Sequence, residues 1–328
     1  ATGIDVSMLK GKKLLNMDSE EEGVMLASCA GGCRADVKLP VERETVSGTK
    51  LTVSLSGLTG GHSGSEIDKG RGNANTLMSR LLRDASAPVA IASIDGGRKD
   101  NAIPRECTAQ IIVAPDEAAA VKASIEQAAA EIAEEFKASD PDLKLTVSEE
   151  TDCSESAISA KDSARVIALI EALPNGIIRM SREIDKLVET SLNLGVLKSD
   201  DAAVTLRYAV RSSVGVAKKS LKNQLVCIAG AFAAEVTFEG DYPAWEYKKD
   251  SKLREDMVRI FEEMYGKKPT VEAIHAGVEC GLLSGKIEGL DCISMGPDMY
   301  DIHTTEERLS ISSAKRSYEY ILRVIACK

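Results

Sequence analysis

Between about residues 35 and 240 the chain changes its hydrophobic period repeatedly, and that order constrains the fold more than any other feature. Leu51, Val53 and Leu55 alternate with Thr52, Ser54 and Ser56, which predicts a half-buried strand. A glycine-rich turn over 57–64 leads into an amphipathic helix through Leu77, Leu81 and Leu82. Strands are expected at 89–94 and 107–113, with the Gly96-Gly97 turn between them. A long Ala/Glu-rich helix over 116–138 and an alternating strand at 143–147 follow. Strand, helix, strand, strand, helix, strand is the split-βαβ, ferredoxin-like arrangement. The pattern partly recurs: a helix at 163–173, strands at 188–196 and 203–210, a helix at 216–234 and a strand at 235–238.

The two ends read differently. A short strand at 13–17 runs into Asp18 and the acidic stretch Ser19-Glu20-Glu21-Glu22. Beyond Gly240-Asp241-Tyr242-Pro243 come a helix at 251–265, strands at 271–274 and 292–295, and a closing helix from Ser312. Both ends have parallel α/β texture. The expected organisation is one domain inserted into another: 1–34 and 241–328 as the outer domain, 35–240 as the insert.

Composition narrows the function classes. The chain has 328 residues, 44% hydrophobic and 28% charged, a globular balance in which 4% aromatics leave the cores to aliphatic side chains. A net charge of -10 argues against a nucleic-acid surface. No apolar run approaches the roughly 20 residues of a membrane span. The apolar stretch at 24–30 follows acidic residues where a signal peptide carries basic ones. Eight cysteines without a CxxC pair read as reduced thiols in a cytoplasmic protein.

The chain holds three histidines. His62 sits in Gly60-Gly61-His62-Ser63-Gly64, where glycines let the backbone approach a ligand; the alternative is an incidental surface turn. His303 follows a buried strand and Gly296-Pro297, a place for a metal ligand or a general base. His275, also just after a strand, is a ligand or a packed core residue. Asp18 with His303 makes half of a mononuclear site, because a catalytic zinc takes about three protein ligands and an open position. The run Glu20 to Glu22 reads as a solvated charge run. No GxSxG elbow, Walker loop or HExxH is present, and Gly70-Arg71-Gly72-Asn73 reads as a turn with a helix N-cap.

Six motifs in collinear order carry a resemblance. They are Asn16-Met17-Asp18-Ser19-Glu20-Glu21-Glu22-Gly23, Gly57-Leu58-Thr59-Gly60-Gly61-His62-Ser63-Gly64 and Gly70-Arg71-Gly72-Asn73-Ala74-Asn75. Asn101-Ala102-Ile103-Pro104-Arg105-Glu106, Glu189-Thr190-Ser191-Leu192-Asn193-Leu194-Gly195 and His275-Ala276-Gly277-Val278-Glu279-Cys280-Gly281 complete the set. From about residue 10 to its end the chain resembles the aminoacyl-histidine dipeptidases (Xaa-His dipeptidases), which are similar to carnosinase. The resemblance implies an α/β, phosphorylase/hydrolase-like dizinc exopeptidase catalytic domain, present in part, with an inserted ferredoxin-like α+β lid that also dimerises.

It further implies that Asp18 binds one zinc and His303 the other, with manganese or cobalt as alternative metals. His62 would reach from the lid into the partner subunit's active site and polarise the scissile carbonyl. Arg211 would hold the dipeptide's terminal carboxylate, Glu279 would lie beside its free amine, and Asn193 would assist at the carbonyl. The family's other ligands and its general base come from an upstream His-x-Asp and Glu-Glu segment, and no His-x-Asp occurs here. Ala1-Thr2-Gly3 also lacks an initiator Met. The expectation is therefore a truncated chain that by itself binds zinc weakly and hydrolyses poorly. A non-catalytic dimerisation fragment, or a related deacylase or tripeptidase, is the alternative.

Overall fold

The computed structural model describes residues 3–302 and 304–327. Its first strands are β1 (Lys13–Asn16), β2 (Val24–Cys29), β3 (Gly31–Pro40), β4 (Arg43–Ser56) and β5 (Gly61–His62). Helix α1 (Ala74–Arg83) leads to β6 (Ala90–Gly96), β7 (Ala102–Ile103) and β8 (Cys107–Val113). Then come α2 (Ala118–Phe136), β9 (Lys144–Ile158), α3 (Ala160–Ala172), β10 (Gly176–Met180), β11 (Val188–Ser199) and β12 (Ala203–Ser212). Helix α4 (Gly215–Ala231) and β13 (Glu235–Tyr242) follow, then α5 (Lys252–Tyr265), β14 (Thr270–Ile274) and α6 (Glu279–Ser284). The chain closes with β15 (Asp291–Ser294), β16 (Met299–Tyr300), β17 (Arg308–Leu309) and α7 (Ile311–Ala326).

The larger sheet has the order β13-β3-β12-β11-β6-β8-β4-β9, with β10 on part of β11's outer edge. It is two ferredoxin-like units side by side. In β4, α1, β6, β8, α2 and β9, the first strand lies between the third and the fourth; β3, α3, β11, β12, α4 and β13 repeat that order. The partial recurrence in the sequence is thus a second copy, and the first unit is inserted between β3 and α3 of the other. They join where β11 meets β6, at Leu197 and Lys198 against Gly96 and Asp95.

Helices α1 to α4 pack over one face, and their apolar stripes meet Leu51, Val53, Leu55, Leu206 and Tyr208 in a single core. Alternation decides which residues turn inward: Leu51, Val53 and Leu55 are fully buried, and Thr52 and Ser54 only half. The opposite face carries cross-strand polar pairs such as Arg207 and Asp36, joined by two bonds of 2.8 Å. Side chains cap the starts of α1 and α3, whereas α2 and α4 have no side-chain cap. Asn73 accepts from Asn75 and Thr76 N–H, and Ser159 from Asp162 N–H.

The smaller sheet has the order β1-β15-β2-β14. β1 runs parallel to β15 and β14 parallel to β2, but β15 meets β2 antiparallel, at Ser294 and Leu26. The sheet is therefore mixed where parallel texture was expected. Helices α5 and α7 cover one face through Met257, Ile260, Phe261 and Tyr320, and Trp245 and Cys280 pack with Cys29 and Cys292 on the other. The stretch at 24–30 that superficially resembles a secretion signal is β2, buried here. Of the acidic run, Glu22 grips Arg316 of α7 through two bonds of 2.7 and 2.5 Å. The chain crosses between the two bodies at 30–31 and again at 243–244, side by side. There Cys29 and Trp245 exchange backbone bonds of 3.0 and 3.1 Å. Among the described residues no helix is long and apolar enough to cross a membrane.

Candidate active site

The glycine-rich turn of 57–66 stands on Asp140, a buried carboxylate that accepts from Thr59 N–H and Gly72 N–H, both at 2.8 Å. These two bonds pin the segment before His62 and the one after it to the turn that follows α2. β5 then pairs with β7, His62 opposite Ala102 and Gly61 opposite Ile103. Gly60 and Gly61 have φ of 66° and 136°, a conformation that a side chain disfavours.

The His62 ring is turned back onto its own loop. Nδ1 accepts from Gly64 N–H at 3.2 Å and Ser65 N–H at 3.1 Å, while the His62 N–H donates to Glu66 at 2.8 Å. An Nδ1 that receives two backbone donors carries no proton, so the neutral ring is protonated at Nε2, which is left to donate outward. Partial burial lowers the proton affinity of His62 below the ordinary range, the Arg211 charge lowers it further, and Glu66 opposes both.

Arg211 belongs to β12 and is 8% exposed. One guanidinium nitrogen lies 3.4 Å from Tyr242 Oη, and its Nε has no hydrogen-bond partner. It opens onto a cavity of about 290 Å³ that Arg34, Asp100, Asn101, Glu239 and Tyr242 also line. Arg34 neutralises one side of it, 2.7 Å from Asp100 and 3.7 Å from Glu239. That leaves Arg211 as a buried fork without a carboxylate partner at its Nε, the arrangement suited to an incoming one.

His275 joins this cluster from the smaller body. It is buried, and its Nε2 lies 2.7 Å from Ser191 Oγ on β11. Burial first, then the Arg211 charge, pushes its imidazole down to about 3. Gly64 packs so closely on the His275 carbonyl that a side chain there would collide with it. His62, Arg211 and His275 therefore come together within one chain. Of the other expected site residues, Glu279 is exposed at the first turn of α6, and Asp18 is exposed just past the carboxyl end of β1. Asn193 is 1% exposed, with its amide engaged by backbone carbonyls. His303 lies outside the described residues. Ser191, Tyr242 and Asp140 were not singled out in the sequence; Ser191 lies inside a quoted motif, while Asp140 and Tyr242 have no local signal for their contacts.

A carboxylate at a strand's carboxyl end suits a divalent cation, which is the chemistry expected of Asp18. Among the described residues, however, no three His, Cys, Asp or Glu side chains come together as a metal centre needs. The described residues alone do not fit a two-zinc site.

Comparison with known proteins agrees with the architecture. Residues 53–140, which cover most of the first ferredoxin-like unit, match the peptidase dimerisation domain. The cytosol non-specific dipeptidase of Escherichia coli (strain K12) is 34% identical over 317 residues, 95% of this chain and 65% of that protein. The crystal structure of aminoacylhistidine dipeptidase from Vibrio alginolyticus superposes with a TM-score of 0.91 at 32% identity, covering 99% of this chain and 67% of that one. The chain spans about two thirds of the length of these relatives. By sequence, fold and the order of its motifs, the chain belongs to the aminoacylhistidine dipeptidase family of peptidases.

Proposed function

We propose that the whole protein hydrolyses dipeptides, those ending in histidine among them, in a metal-dependent reaction. This chain would supply the lid and the substrate-holding groups. One observation carries the reading: two backbone N–H groups bind His62 Nδ1, so Nε2–H faces outward as a donor on a ring held neutral. Such a donor suits the oxyanion that develops on an attacked amide carbonyl. Arg211 suits the terminal carboxylate of a dipeptide, and Glu279, exposed at the start of α6, suits its free amine.

Asp18 and His303 are the proposed metal ligands, one for each of two zinc ions, with manganese or cobalt as alternatives. The remaining ligands then come from outside the described residues. The likeness to a dimerisation domain supports a homodimer formed through the lid, in which His62 serves the partner subunit's centre. Eight free cysteines support a cytoplasmic setting.

The test is turnover of an Xaa-His dipeptide by the whole protein with zinc. His62→Ala should lower kcat by roughly 10²–10³ with the metal content unchanged. Unchanged turnover would remove His62 from the catalytic machinery, whereas a whole protein with no turnover at all would favour a dimerisation module without catalysis. Loss of metal would make His62 a ligand instead of a donor.

A further inference from the structure

Asn193 lies where β11 has no neighbour on its outer edge. β10 pairs with that edge as far as Leu192, β6 takes it up again at Leu197, and between them β11 shifts register at Leu194–Val196. Side-chain amides fill the gap. Asn175 Oδ1 accepts from Leu194 N–H at 2.8 Å, while Asn73 and Asn75 donate to the Leu194 carbonyl at 3.1 and 3.2 Å. The Asn73 amide also donates to Asn193 Oδ1 at 3.1 Å.

Asn193 passes the connection on. Its amide donates to the Asp100 carbonyl at 3.1 Å and the Ala102 carbonyl at 2.9 Å. The turn bearing those carbonyls sits tightly on the sheet. A side chain on Gly97 would collide with the Gly195 carbonyl, and one on Gly195 with the Asp100 carbonyl. Ala102 is the register partner of His62, and Ser63 N–H donates to the Asn101 carbonyl at 2.9 Å. A continuous path therefore runs from the N-cap of α1 through Asn73, Asn193 and Ala102 to His62.

We propose that Asn193, braced by Asn73, is a positioning residue that sets where the His62 imidazole stands, acting through the Asp100–Ala102 backbone and not by touching substrate. Without the Asn193 amide, two carbonyls lose their donor. The relief open to them is for the turn to move toward water, which carries β7 and its partner His62 with it. The consequence for catalysis rests on the reading of His62 as the lid donor, but its placement is measurable without any reaction.

Three histidines make the imidazole region of an NMR spectrum readable residue by residue. We would compare wild type with Asn193→Leu, which keeps the approximate volume and removes the donor without adding a charge. Asn73→Ser would serve as the second variant, because it keeps an N-cap oxygen and removes the bond to Asn193. In both, the His62 resonance should move and its titration midpoint rise toward the ordinary histidine value of 6.5, while His275 stays in place. A folded variant with His62 unmoved, or one in which His62 and His275 shift together, would overturn the proposal. If Asn193→Leu does not fold, Asn73→Ser decides by the same criterion. Should His62 move as expected while His62→Ala itself leaves turnover intact, positioning stands and the donor role falls.

Discussion

Ser191 Oγ and His275 Nε2 stand 2.7 Å apart, and this buried bond ties the large sheet to the loop that follows β14 of the small one. Its imidazole stays neutral because burial and the Arg211 charge push it down to about 3 from an ordinary 6.5. A lowered folded value means that the unfolded chain binds the proton first. The stability from this group is therefore complete above about pH 6.5 and is lost as pH falls toward about 3. Over that window the loss approaches roughly 4–5 kcal/mol. Denaturant midpoints measured across the window should show this acid slope, and His275→Gln should flatten it. An equal slope in the variant would place the acid sensitivity elsewhere.

Arg211→Lys keeps the charge and loses the fork. In the dipeptidase assay it should raise KM by about tenfold or more and change kcat far less, since a carboxylate held by two parallel bonds becomes one held by a point charge. Arg211→Gln removes the charge as well. The proton affinities of both His62 and His275 should then rise, because Arg211 lowers each of them. A titration of His62 that ignores Arg211→Gln would show that the two are not electrostatic neighbours in solution.

Asp140→Ala leaves the Thr59 and Gly72 N–H groups without their acceptor on either side of the His62 turn. The expected cost is about 2–4 kcal/mol in denaturant unfolding. Hydrogen exchange should speed up at Thr59 and Gly72 before it does in β4. Uniform acceleration across the lid would mean that Asp140 supports the whole fold and not this turn.

Ser251 and Asp291 close the start of α5. Ser251 Oγ donates to Asp291 at 2.6 Å and accepts from Arg254 N–H, while Leu253 N–H reaches the same carboxylate at 3.0 Å. Ser251→Ala should cost about 1 kcal/mol, read from the unfolding midpoint. Asp291→Ala should cost more, since it removes two partners and a negative charge from a helix N-terminus.

Residues 51–55 were legible because one face of the strand is buried and the other only half, so periodicity carries the information. β9 runs on to Ile158, well past the expected 147, through Ser148-Glu149-Glu150-Thr151-Asp152. It is the edge strand, and its exposed middle has no apolar alternation to betray it. β2 was obscured for the opposite reason, being apolar on both faces. His62 was legible from the glycines around it. The engagement of Asn193 was not, because its partners at 73, 100 and 102 meet it only after the sheet has formed.

Both passages of the chain between the two bodies go through the Cys29–Trp245 pair, so the lid hangs in a single doorway. Antiparallel residues that exchange both bonds have Cα atoms about 5.5 Å apart, a gap that a two-residue turn can close. A chain carrying only the smaller sheet could gain or shed the lid at this point without rethreading a strand. The same two jambs would accept a differently shaped insert, which makes the lid an exchangeable cassette.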